Sequence, residues 1–65
     1  MSETVTFEET REARRVTSLL AREAADEYGW ADAYVCGLIE AKRHLGMAIH
    51  DRWPEQLDAV LEEQG

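Results

Sequence analysis

The sequence predicts an all-α fold, an antiparallel helical hairpin followed by a short third helix. Apolar residues recur every three or four positions along most of the 65 residues, which is the period of an amphipathic helix. Gly29 and Pro54 interrupt this pattern where one helix would end and another would begin. The connections are short, so consecutive helices should pack antiparallel. We assign residues 1–65 to a single small helical domain, because a chain of this length has room for only one.

Helix 1 is predicted over residues 7–28. Thr6 and Glu9 have the spacing of a capping box, in which each side chain accepts a hydrogen bond from the other residue's backbone N–H. Gly29 suits the left-handed conformation that ends many helices. The stripe that we expect to face the core comprises Ala13, Val16, Thr17, Leu20, Ala24 and Tyr28.

An extended lead is predicted ahead of helix 1, over residues 1–6. The stretch from Thr4 to Phe7 alternates in polarity like a strand, but a single strand needs a second strand to pair with. We therefore expect Val5 and Phe7 to cover the hairpin instead of forming a sheet.

Helix 2 is predicted over residues 31–52, because the residue before a proline disfavours the helical conformation and Trp53 precedes Pro54. Its main apolar face comprises Tyr34, Val35, Leu38, Ala41, Leu45, Ala48 and Ile49. Pro54 then suits the first turn of helix 3, predicted over residues 54–63. The residues spaced to bury one face of helix 3 are Leu57, Val60 and Leu61.

Charge and cysteine content limit the functional classes. With 14 acidic and 7 basic residues the net charge is −7, and an acidic domain repels phosphate backbones, so we do not expect nucleic acid as a partner. Cys36 has no second cysteine to pair with, and no Cys/His cluster has zinc spacing. The acidic N-terminus does not resemble a secretory signal, and no apolar run is long enough to span a membrane. We therefore expect a cytoplasmic location.

Helix 2 also carries apolar and small residues on the side turned away from helix 1. This second face comprises Cys36, Ile39, Gly46 and Met47. A solvated face does not normally collect such residues, and a glycine inside a helix costs about 1 kcal/mol relative to alanine. A chain this short has a marginal core of its own. We therefore predict that this face binds a second copy, giving a homodimer, or another protein. The alternative is that the glycine only accommodates helix 3 or the lead.

A strip of arginines lies opposite the apolar stripe of helix 1. It comprises Arg11, Arg14, Arg15 and Arg22. In an acidic protein such a strip suits the docking of an acidic partner. The alternative is a solvated face, in which Arg11 pairs with Glu8 and Arg22 pairs with Asp26 at helical spacings.

Residues 39–51 place a glutamate, two histidines and an aspartate in one stretch, and these residue types occur in metal and acid–base sites. On a helical wheel Glu40, His44 and Asp51 form one row, and His50 points away from it. A catalytic zinc takes three protein ligands, and a di-iron carboxylate site requires Glu-x-x-His, whereas Glu40 and His44 are one residue further apart. We expect an exposed Glu–His pair, with neither a metal nor a cofactor.

The corner between helices 1 and 2 resembles a DNA-binding helix-turn-helix. Ala25, Gly29 and Val35 have the A-x3-G-x5-V spacing of that motif. The resemblance implies a transcriptional regulator, but residues 31–37 contain no Arg, Lys, Asn or Gln to read bases. A ribbon-helix-helix regulator, with strands around Val5 paired across a dimer, is the related alternative.

The sequence favours a small acidic protein–protein interaction module, such as a regulator, an inhibitor or an antitoxin-like adaptor. It has no Gly-rich phosphate loop, no nucleophile elbow and no set of Ser, His and Asp that three helices bring together, so we do not expect an enzyme. The alternative function is that of a DNA-binding transcriptional regulator of the helix-turn-helix or ribbon-helix-helix type.

Overall fold

The computed structural model describes residues 5–64, which contain three α-helices and no strand. The helices are α1 (Phe7–Tyr28), α2 (Ala33–Arg52) and α3 (Pro54–Gln64). α1 and α2 pack closely against each other as a hairpin, and α3 packs more lightly against α2. The predicted all-α fold, a helical hairpin with a short third helix, is confirmed. The first four residues of the predicted lead lie outside the described residues.

Local hydrogen bonds determine where α1 begins and ends. The Thr6 hydroxyl accepts from the Glu9 N–H, and the Glu9 carboxylate accepts from the Thr6 N–H, both at 3.1 Å, which completes the capping box. Gly29 has a φ of 90°, where a Cβ would be strained, and its N–H donates to the Ala25 carbonyl at 2.8 Å. α1 therefore has the bounds expected from these two signals.

α2 begins at Ala33, and the predicted start at residue 31 was wrong. The reason is Asp32, the N-cap residue, whose carboxylate accepts from the Tyr34 N–H at 2.9 Å. An N-cap residue has an extended backbone, so the helix starts only after it. The Asp32 N–H donates to the Gly29 carbonyl at 3.2 Å and closes the turn between α1 and α2.

Three contacts define the register of the hairpin. They are Phe7 with Trp53, Arg14 with Gly46, and Tyr28 with Tyr34. The two aromatic pairs meet edge to face with ring centroids 6.0 and 6.4 Å apart. In all three pairs the two residue numbers add up to about 60. A constant sum is expected when two antiparallel helices keep the same register along their whole length. The register therefore shows which residues of α1 and α2 lie level with one another.

Small residues form much of the contact between the two helices. Ala21, Ala24 and Ala25 of α1 are buried, and Val35 of α2 is fully enclosed beside Ala24 and Ala25. Ile49 of α2 is buried as well. Leu38 packs against this cluster and is partly buried. Alanines allow the helices to approach closely, but each one removes little apolar surface from water. The buried core is therefore small.

The buried face of α1 is rotated away from the predicted apolar stripe. Ala24 of that stripe is buried, but Val16 and Leu20 remain 40% and 43% exposed. Phe7 and Thr10, which lie off the stripe, are buried instead. The alanines take the buried positions in the second half of α1, and Val16 and Leu20 lie on the flank of the contact.

The protein is one helix layer thick. Its principal extents are 39 × 36 × 15 Å, and a helix with its side chains is about 10–12 Å across. α3, which ends one residue beyond the predicted 63, buries none of its residues. The radius of gyration is 13.7 Å, compared with about 10.7 Å for a compact domain of this length. Large apolar side chains therefore remain exposed on the hairpin.

We expect Val35→Ala to lower the free energy of unfolding by about 2 kcal/mol, because two enclosed methyl groups are lost and a cavity remains. Urea unfolding followed by circular dichroism measures this change. Cys36→Ala, at the exposed neighbouring position, is the control and should unfold like the wild type. Equal midpoints for Val35→Ala and the wild type would refute the central position of Val35.

Candidate protein-binding surface

An apolar groove runs between α2 and α3 on one side of the layer. Its apolar lining comprises Ile39, Met47, Ile49, Leu57 and Leu61. The groove has a volume of about 650 Å³, within the range of about 300–1,000 Å³ that is typical of binding sites. Because it is open to solvent, its shape suits a helix laid along it better than a small enclosed molecule.

Helical spacing brings one flank of α2 to this groove. Ile39, Arg43, Gly46 and His50 follow one another at intervals of three or four residues. Gly46 leaves room for the side chain of Arg14, since a Cβ at Gly46 would lie 3.1 Å from the Arg14 Nε. Arg14 of α1 therefore reaches across α2 to the edge of the groove.

Cations surround the groove although the chain is acidic. They are Arg14, Lys42 and Arg43. We use the name basic groove for these three cations together with the apolar lining. Arg43 donates to the Glu40 carboxylate at 3.3 Å. Within residues 5–64, Arg14 and Lys42 form no ion pair. The charge of the groove is opposite to the net charge of −7, so it attracts acidic surfaces and repels a second basic groove.

Part of the predicted arginine strip lies on the same side of the hairpin as the basic groove. Arg11, Arg14 and Arg15 line a second hollow, which reaches Ile49 and Leu57 at the end of the groove. The strip and the second face of α2 are distant in sequence but join in the fold. They form one continuous surface.

The individual arginines of the strip differ in their contacts. The Arg11 guanidinium lies 5.5 Å from the centroid of the Phe7 ring. Arg15 donates to the Glu12 carboxylate, and this hydrogen bond lowers the pKa of Glu12 and raises that of Arg15. Arg22 is exposed further along the helix. The alternative pairings of Arg11 and Arg22 with carboxylates one turn away do not form among the described residues.

Three of the four residues of the predicted interaction face line the basic groove. Ile39 and Met47 are 38% and 57% exposed. Gly46 is half-buried, and its close neighbour is an arginine side chain, not another backbone. Cys36 lies outside the groove, where its exposed thiol donates to the Trp30 carbonyl at 3.6 Å.

Several members of this surface were not predicted from the sequence. Lys42 and Arg43 follow Ile39 closely on the same helix, so cations beside the apolar face were a signal in the sequence. Leu57 and Leu61 were expected to bury one face of α3. They line the groove instead, with Leu61 56% exposed, because α3 does not fold over the hairpin.

The row of Glu40, His44 and Asp51 is a surface feature. The His44 Nε2 lies 3.6 Å from the Glu40 Oε2, and both side chains are more than half exposed. Glu40 also accepts from Arg43, which competes for the same oxygen. No group of three or more His, Cys, Asp or Glu residues suited to a metal ion is found in the described part of the chain.

The residues with helix-turn-helix spacing pack tightly at the corner. Ala25 is buried, Val35 is enclosed and Gly29 adopts the positive φ that such a corner needs. The N-cap residue ahead of α2 is Asp32, a carboxylate, at a position where base readout requires donors such as Arg or Asn. The packing matches the resemblance, and the charge at the corner opposes DNA.

No family model matches the chain, and comparisons with curated proteins and with solved structures found no match. Among residues 5–64, no helix combines the length and the hydrophobicity needed to cross a membrane. The function must therefore be inferred from the chemistry of the exposed surfaces.

We expect calorimetric titration with zinc, iron(II) or manganese to show no stoichiometric binding, because Glu40 and His44 supply only two exposed ligands. The control is His44→Ala, which should give the same titration curves as the wild type. Stoichiometric micromolar binding that disappears in His44→Ala would show that the row holds a metal after all.

Proposed function

We propose that this protein is a small cytoplasmic interaction module that acts by binding a protein partner and has no catalytic role. The basic groove supports this proposal, because an open apolar surface surrounded by cations is unusual on a chain of net charge −7. The exposed, unpaired thiol of Cys36 fits a reducing compartment. Regulators, inhibitors and antitoxin-like adaptors act through such surfaces without chemistry of their own.

The partner that fits the basic groove is an acidic amphipathic helix of another protein. Its apolar residues, at spacings of three and four, would contact Ile39 and Leu61. Its flanking carboxylates would meet Arg14 and Lys42, which form no ion pair among the described residues. The apolar contacts supply most of the affinity, and the charges select the partner and speed association.

Affinity capture from the native host lysate tests this function with three baits: the wild type, Ile39→Asp and Cys36→Asp. We expect Ile39→Asp to reduce capture of the partner at least tenfold, because a charge placed in the groove must lose water on binding. Cys36→Asp introduces the same charge on the same helix, at an exposed position outside the groove. This control should capture the partner like the wild type.

A second substitution tests the charge of the groove. Lys42→Glu should weaken capture and make it less sensitive to salt, since one cation of the contact is reversed. The captured protein should contain an acidic amphipathic helix that, as a synthetic peptide, competes for the groove. Equal capture by the wild type, Ile39→Asp and Cys36→Asp would refute the basic groove as the binding site.

The alternative function, a DNA-binding regulator, is favoured by the tight corner around Gly29. An electrophoretic mobility shift with random duplex DNA at low salt distinguishes the two functions. Binding that weakens steeply with salt would support the DNA-binding alternative. We expect no shift, because an acidic chain repels the phosphates.

A further inference from the structure

The side of the hairpin opposite the basic groove carries a second apolar surface. We call it the apolar face, and it comprises the exposed Val16, Leu20 and Tyr34 and the half-buried Leu38 and Leu45. On α1, Val16 and Leu20 lie on the flank away from Arg11 and Arg14 at helical spacing. On α2, Leu38 and Leu45 likewise lie on the flank away from Ile39 and His50. In an antiparallel hairpin these two flanks belong to the same side of the layer.

The exposed surface of the chain is larger than a monomer of its size should have. The chain exposes 5256 Å², whereas a compact monomer of 7.4 kDa exposes about 4,200 Å². The excess, about 1,000 Å² over the whole chain, is large enough to include a standard interface, to which each partner contributes about 800 Å². A domain also normally consists of at least two packed layers, and this chain supplies one.

We propose that a second copy of this chain covers the apolar face, so that two hairpins form a four-helix bundle. A second copy supplies a second helix layer, and its apolar face has the same area as the face that it covers. This proposal does not depend on the proposed function, because the apolar face and the basic groove are on opposite sides of the hairpin.

The charges select how the two copies are oriented. Glu9 and Glu27 border the apolar face on α1, whereas Arg52 borders it on α2. If the twofold axis runs parallel to the helices, α1 of one copy packs on α2 of the other at the same level. The hairpin register then places Glu9 level with Arg52 of the second copy, in two symmetric pairs.

The other face-to-face arrangement is opposed by like charges. With the twofold axis perpendicular to the helices, α1 packs antiparallel on α1 of the second copy. Centred on Val16 and Leu20, this arrangement brings Glu9 level with Glu27 of the second copy. We therefore infer the first arrangement, in which α1 packs on α2 of the second copy and Val16 faces Leu45 of that copy.

This proposal moves the homodimer contact predicted from the sequence. In a symmetric contact through Ile39 and Met47, each basic groove would face itself, and the same cations of two copies would meet. Dimerisation through the apolar face avoids this repulsion. It also leaves the basic groove open to a different partner.

Sedimentation analysis of two neighbouring leucines tests the proposal. Leu20→Lys, on the apolar face, should raise the dimer dissociation constant at least a hundredfold, because the dimer would enclose two ammonium groups. Leu19 is 50% exposed and Leu20 is 43% exposed, but Leu19 lies beside Arg15 on the opposite flank. Leu19→Lys is therefore a matched control, and it should sediment as a dimer. Circular dichroism should show unchanged helix content in both variants.

The proposal fails if the wild type sediments as a monomer at about 100 μM, well above a micromolar dissociation constant. It also fails if Leu20→Lys remains a dimer, or if Leu19→Lys dissociates equally. In the wild type, the thermal midpoint should rise with protein concentration, since association stabilises the fold.

Cross-linking tests the orientation independently of the sedimentation experiment. Val16→Cys and Leu45→Cys are made separately, each with Cys36→Ser, and the two proteins are mixed and oxidised. We expect a disulfide-linked heterodimer in at least tenfold excess over the Val16→Cys homodimer, because Val16 faces Leu45 across the interface. A predominant Val16→Cys homodimer would overturn the proposed axis, and an absence of cross-linked species would overturn the interface.

Discussion

The close approach of α1 and α2 on alanines is the constraint on which the rest of the structure depends. Ala24 and Ala25 let the helices pack around Val35, and larger side chains such as Val16 and Leu20 remain exposed on the flank of α1. A contact built from small residues buries little apolar surface, so the hairpin alone has a weak hydrophobic driving force. The exposed flanks follow directly from this packing.

The two flanks differ in charge, and this difference separates their roles. Lys42 and Arg43 border one flank together with Arg14, which extends over Gly46. Glutamates border the other flank along α1, beside a row of aliphatic side chains. We propose an acidic helix as the partner of the first side and a second copy of the chain as the partner of the second side. Because the two sides are opposite, the two proposed contacts would not compete.

The parts of the fold that depend on neighbouring residues could be predicted from the sequence. Thr6, Glu9 and Gly29 act through hydrogen bonds and backbone angles within one turn, so both ends of α1 follow from them. The start of α2 lies two residues beyond the predicted one because the Asp32 side chain caps the helix. Periodicity identified the apolar residues of α1 but not the buried ones, because both alanines and leucines satisfy the same period and only interhelical packing distinguishes them.

The candidate site was predictable only in pieces. Ile39 and Met47 stand out in the sequence as apolar residues on an otherwise free face, and the arginines of α1 stand out as a strip. That Arg14 lies beside Gly46 depends on the register of the hairpin, which neither helix encodes by itself. The contribution of Leu57 and Leu61 depends on the direction in which α3 leaves α2. Tertiary geometry of this kind has no local signal.

The light packing of α3 has a consequence for recognition. α3 provides one wall of the groove but buries no residue, whereas α2 is held firmly against α1. An element with so few buried contacts opens locally at low free energy, and its amide protons should exchange with solvent faster than those of α2. The groove therefore has one rigid wall and one compliant wall. Under the proposed function, the groove would accommodate partner helices of different diameter, at the cost of the entropy lost when α3 becomes ordered.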